Sequence, residues 1–128
     1  MDRVTNMQAF NVQLFQFLDN LLVLFPQNVN LRKGIKSLDT IKRMNPTLIV
    51  RVWYNQIYLP HRLQIEEYNI DFFSNDFTEI QSGKEIMHIL DSLKKSIDII
   101  DVTEKKNVLD QIFRISMLSK IYNSSGIL

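Results

Sequence analysis

Apolar side chains in this chain recur three and four residues apart, in blocks closed by proline or glycine, and that period is the signature of amphipathic helices. Phe10, Leu14, Phe17, Leu18, Leu21 and Phe25 form the first stripe. Asn6 is placed to cap its start, and Phe25-Pro26 ends it, because proline pushes the residue before it out of the helical region. A second helix starting near Asn28 or Asn30 would bury Leu31, Ile35, Leu38 and Ile41. Gly34 lies inside it, at a propensity cost of about 1 kcal/mol relative to Ala. Asn45-Pro46 reads as an N-cap and first helical position for a third helix carrying Leu48, Ile49, Val52, Trp53 and Ile57. The run Leu48-Ile49-Val50 has strand propensity, but the capping signal favours helix.

Leu59-Pro60 restarts the chain, with a short helix expected through Ile65 to Tyr68. The stretch from Asn69 to Phe77 has neither helical period nor alternation and reads as an aromatic-rich loop. Ser82 and Gly83 precede a fifth helix with Ile86, Leu90, Leu93 and Ile97 on one face. Thr103 is the expected cap of a sixth, with Val108, Leu109, Ile112, Phe113, Leu118 and Ile121 inward. The expected architecture is all-α, a compact bundle of five to six short helices, forming a single helical domain over residues 1–122 with a frayed tail at 123–128. At 128 residues the chain matches one domain of about 100–150 residues.

The chain has no cysteine, which excludes disulfides, thiolate metal sites and cysteine nucleophiles. Phe10 to Phe25 is interrupted by Asn11, Gln13, Gln16, Asp19 and Asn20, unlike a secretory apolar core or a membrane span. A cytoplasmic, non-secreted protein without membrane association is therefore expected. Sixteen Ile and eleven Asn stand against a single Ala, a bias that AT-rich codons alone would produce.

No motif announces chemistry. His61 and His88 are the two histidines, and neither belongs to a metal-ligand pattern. His88 lies opposite the Ile86, Leu90, Leu93 stripe with Glu85 and Asp91 a turn to either side. That arrangement is either a carboxylate-tuned acid/base or an exposed helix-face histidine, and no structured pocket is expected around it. Three glycines form no phosphate-binding loop, and the adjacent pair Glu66-Glu67 points in two directions on a helix. No catalytic residue, cofactor, metal or small-molecule substrate is expected.

The informative features are charge and aromaticity. Between residues 30 and 62, Arg32, Lys33, Lys36, Lys42, Arg43, Arg51 and Arg62 stand against Asp39 alone. Between residues 63 and 101, nine carboxylates face three lysines. At roughly 100° per residue, Arg32, Lys33, Lys36 and Arg43 share the side of the second helix away from its apolar stripe. They read as a patch for an acidic partner or for phosphates, or as a solvated face partly neutralised by the acidic half of the molecule. Such a charge dipole also suits head-to-tail self-association. Tyr54 and Tyr58 on the third helix, and Phe72, Phe73 and Phe77 in the following stretch, complete the candidate partner-binding set. Exposed, they would make a binding hot spot; buried, they would close the core, with Tyr54 the best placed for the surface.

The order Phe10-x3-Leu14-x2-Phe17-Leu18, Phe25-Pro26, Asn45-Pro46 leading into Trp53, Pro60, and Phe72-Phe73-x3-Phe77 resembles a family of small uncharacterised helical proteins from nucleocytoplasmic large DNA viruses, the giant viruses of algae and protists. The likeness spans residues 10 to 80. It implies a viral protein working in the host-cell cytoplasm or in the virion, and it brings no site residues. The expected function is that of a non-enzymatic protein–protein interaction or structural protein, for which the resemblance implies a host-cytoplasmic or virion-associated setting. The alternative is a nucleic-acid-binding protein using the basic face of residues 32–51.

Overall fold

Proline and a handful of side-chain caps divide the chain into helices, and the computed structural model describes residues 2–79 and 83–125. Helix α1 spans Arg3–Leu24 and α2 spans Val29–Met44. Helix α3, Leu48–Val52, runs on through a π-helical turn at Trp53–Tyr58 and a 3-10 turn at Leu59–His61 into α4, Arg62–Glu66. Two further 3-10 turns, Ile70–Ser74 and Phe77–Glu79, lead to α5 at Lys84–Ser96. A last 3-10 turn, Ile97–Ile99, precedes α6 at Val102–Ser125. The architecture is all-α, with no strand among the described residues.

Asn28 caps α2, at one of the two expected starts, and the other three caps differ from the expected ones by a few residues each. Asp2, not Asn6, caps α1 by accepting from the Thr5 N–H at 2.7 Å, and Asn6 is buried one turn inside the helix. Asn28 caps α2 through the Leu31 N–H at 3.0 Å. Asn45 closes α2 rather than opening α3: its N–H donates to the Ile41 carbonyl, its own carbonyl accepts from Leu48, and the N-cap position falls to Thr47. Asp101, not Thr103, caps α6 by accepting from the Glu104 N–H at 2.8 Å. At α1, α2 and α6 a carboxylate or amide oxygen reaches an N–H three residues on, which satisfies one orphan donor of the first turn, whereas the Thr47 side chain makes no capping bond.

The π-helical turn has a local cause. Pro60 carries no N–H and cannot continue an α-helical ladder. The Leu59 N–H instead donates to the Tyr54 carbonyl, five residues back. His61 then places Nδ1 2.9 Å from the Ile57 carbonyl. A carbonyl only accepts, so Nδ1 carries the proton in this contact.

Helix α4 ends in a Schellman motif: the Tyr68 N–H donates to the Ile65 carbonyl and the Asn69 N–H to the Gln64 carbonyl. The left-handed position belongs to Tyr68, at φ 54°, where glycine is usual. Its ring lies 5.1 Å from Phe113 and its hydroxyl 3.3 Å from Asp110 Oδ1, contacts that offset the backbone cost. The tail is helical through Ser125, beyond the point where fraying was expected; residues 126–128 and Ser82 lie outside the described residues.

Helix α1 packs chiefly on α6, and α2 on α5. Both pairs run antiparallel, as the Asn20–Gln111 and Asn28–Ser96 hydrogen bonds show. The core gathers Phe10, Leu14, Phe17, Leu21, Leu31, Leu38, Trp53, Ile57, Ile65, Phe72, Leu90, Leu93, Val108 and Ile112. Ile121, expected inward, is 49% exposed. At Gly34 the α2 and α5 backbones come close: a Cβ there would sit 2.9 Å from Ile89 Cγ1.

That contact sets up a test. Alanine at Gly34 gains about 1 kcal/mol of helix propensity, but forcing a methyl against buried Ile89 costs roughly 1–3 kcal/mol. Gly34→Ala is expected to lower the urea midpoint, with a net loss of about 1 kcal/mol; a raised midpoint would show that the two helices can separate at little cost.

Candidate interaction surface

The side chains available for contact are those left over once the core is filled, and four of the nine expected site residues are spent on the core. Tyr58, Phe72, Phe73 and Phe77 are all at most 4% exposed, so of the two readings open from the sequence they take the buried one, and their place in the candidate partner-binding set is corrected. The stretch expected to be a loop is a pair of 3-10 turns folded inward. Phe72 sits 5.5 Å from Phe73 and 5.4 Å from Phe77, and the His61 ring meets Phe72 and Phe77 edge-on at 5.8 Å each. Asn75 pins the outside of this cluster: its amide donates to Gln64 Oε1 and to the Phe72 carbonyl, and its own carbonyl accepts from Lys94 Nζ at 2.9 Å. Apolar area decides the outcome, since each fully buried ring gains roughly 1.5–3 kcal/mol. Tyr54 remains half-buried at the surface with its ring 5.8 Å from Tyr58.

Tyr58 keeps its polar end satisfied inside the fold. Its hydroxyl donates to Glu66 Oε1 at 2.9 Å. Burial first, and the Glu66 carboxylate second, push the phenol up to about 12 from an ordinary 10.0.

The basic face is where the sequence placed it. Arg32, Lys33, Lys36 and Arg43 are all exposed on the outer side of α2. They are not equivalent. The Arg43 guanidinium lies 2.8 Å from Asp39, which Lys42 also meets at 3.3 Å. Lys42 in addition lies 4.4 Å over the Phe15 ring. Arg32 donates to the Pro26 carbonyl at 2.9 Å, a neutral acceptor that leaves its charge uncompensated. Lys33 and Lys36 make no ion pair among the described residues.

Every ion pair among the described residues joins partners within seven positions of each other along the chain. None links the basic segment 30–62 to the acidic segment 63–101. Among the described residues, then, no direct ion pair neutralises the basic segment with the acidic one.

His88 is exposed on α5, as expected, and it lines an open groove of about 490 Å³ between α2 and α5. No pocket was expected there. Lys33, Glu85, Asp91 and Lys95 share that lining, with Gly34 beside them. Among the described residues, no group of three or more His, Asp or Glu side chains is placed to hold a metal ion. No described helix is long and apolar enough to cross a membrane.

The α4 corner escaped the sequence reading. Leu63 is 67% exposed and Ile70 44% exposed, beside exposed Glu67 and Asp71. One signal was present: Leu63 and Ile65 are two positions apart, so a helix that buries Ile65 must turn Leu63 outward. Comparison with known proteins finds no family model, curated protein or solved structure that matches the chain.

The Tyr58 environment predicts an alkaline instability. The folded phenol binds its proton more tightly than the unfolded one, so this contribution is whole below pH 10 and disappears as pH rises toward about 12. Tyr58→Phe is expected to flatten that part of the stability–pH curve, measured by denaturant titration; a wild-type curve level between those pH values would contradict the burial of the phenol.

Proposed function

We propose that this protein is a non-enzymatic interaction or structural module that engages an acidic protein partner through the outer face of α2. The observation that carries the reading is the uncompensated charge of Arg32, Lys33 and Lys36 on a helix whose opposite side is locked into the core. Maintaining like charges side by side on one helix is unfavourable by a few tenths of a kcal/mol per pair, and an opposing surface removes that cost. Arg43 contributes less, because Asp39 already compensates it. Tyr54 is the remaining aromatic residue with surface to offer.

The viral setting rests on the resemblance of the spacing from Phe10 to Phe77, which implies action in a host-cell cytoplasm or within a particle. A nucleic-acid role would use the same cations. Three uncompensated charges beside a strongly acidic half make the weaker electrostatic footprint for a polyanion, and duplex binding would fall with salt at a log–log slope of about −0.9 per phosphate contact.

Reversing Arg32, Lys36 and Arg43 to Glu together is expected to reduce capture of specific protein partners at least tenfold in a tagged pull-down from the native context, while the circular-dichroism melting curve stays that of a folded domain. Undiminished capture would remove the α2 face from the reading. Partners that vanish on nuclease treatment would transfer the face to nucleic acid.

A further inference from the structure

Two oppositely charged surfaces on one chain need not wait for a foreign partner. The first is the outer face of α2, with Arg32, Lys33 and Lys36 uncompensated and with Val29 (54%) and Met44 (81%) exposed at its two ends. The second is the α4 corner, where Glu67 and Asp71 flank exposed Leu63 and Ile70. The α2 face is predominantly basic, with Asp39 beside Lys42 and Arg43. The α4 corner is predominantly acidic, with exposed Arg62 on the same helix. Each sets its prevailing charge beside exposed apolar side chains, the composition of a recognition patch.

The corner is also built to hold its shape. The Schellman motif at Tyr68, the Tyr68–Phe113 ring contact, and the Asn75 amide on Gln64 fix the backbone that carries Glu67 and Asp71. Helix α2 packs on α5, α1 and α3, while α4 packs on α6 and the turn that carries Ile70 and Asp71 packs on α4, α5 and α6. Among the described residues no ion pair joins Arg32, Lys33 or Lys36 to Glu67 or Asp71, so neither surface is satisfied by the other within one chain.

We propose, building on the interaction reading above, that the acidic partner of the α2 face is the α4 corner of a second copy of this chain. The contact is heterologous: it uses one face of each copy and leaves the other face of each free, so assembly continues head to tail instead of stopping at a symmetric pair. Because the attraction is largely between exposed charges, it is weak and governed by ionic strength.

Sedimentation equilibrium of the purified protein at about 10 mM and about 1 M salt, where the Debye length falls from roughly 30 Å to roughly 3 Å, tests this directly. Wild type is expected to show a mass that climbs with concentration past two chains at low salt and returns to one chain at high salt. The neutralised variants Lys33→Gln/Lys36→Gln and Glu67→Gln/Asp71→Asn alter exposed side chains that have no ion-pair partner among the described residues, so both should fold, as checked by circular dichroism, and each should stay a single chain. Mixed in equal amounts they should reach the mass of two chains and stop, because each variant retains the one face that the other has lost. A wild type that is a single chain at low salt, one that stops at two chains, or a variant that assembles like wild type overturns the proposal. The first of these outcomes leaves the α2 face open to a foreign acidic partner, which the pull-down with the α2 triple variant reads independently.

Discussion

The Trp53 indole N–H has one acceptor, the hydroxyl of Ser116, 3.0 Å away in a fully buried position, and the bundle is organised around that bond. Leaving a buried donor unpaired costs roughly 1–3 kcal/mol, so the segment from Leu48 to Glu66 and helix α6 are held in one register. The Ser119 hydroxyl donates to the Ser116 carbonyl at 2.6 Å, tightening α6 where the indole lands. Phe10 meets the indole edge-on at 6.3 Å, which brings α1 to the same point. The small Ser116 that meets the indole and Ser119 one turn on are both completely buried. A larger residue at either place would push the helices apart.

A second polar contact shows what this packing tolerates. The Asn11 amide donates to the Pro46 carbonyl at 3.1 Å and ties α1 to the turn before α3, yet its Oδ1 is buried with no hydrogen-bond partner among the described residues. The donor side fixes the turn, and the bare acceptor is its cost. Around these points the large aromatic side chains are drawn inward, and the outer surface is left to charge. The interaction reading follows from that division of labour: what remains outside is a basic helix face, an acidic corner and a few apolar residues beside each.

The helices and their order were legible along the chain. The spacing of Phe10, Leu14, Phe17 and Leu21 is a local property, and so is the effect of Pro26 on Phe25; neither needs a partner elsewhere to act. The outer placement of Arg32, Lys33, Lys36 and Arg43 follows equally from helical geometry once Leu31 and Leu38 are inward. The caps were less legible because Asn6, Asn45 and Thr103 are all chemically able to cap. Asp2, Thr47 and Asp101 hold those positions instead, since helix ends settle where the whole segment packs best.

Sequence alone determined, then, the order of the main helices, the all-α class and the segregation of charge, because all three depend on residues within one or two turns of each other. Tertiary structure decided which aromatic residues reach water. Phe72, Phe73 and Phe77 have no period to assign them a side, and their burial depends on His61, Gln64 and Lys94 arriving from other elements. It also decided that no ion pair among the described residues joins the two charged segments. Ion pairing needs partners within about 4 Å, and Lys33, though it shares the α2–α5 groove with Glu85 and Asp91, makes no such pair there.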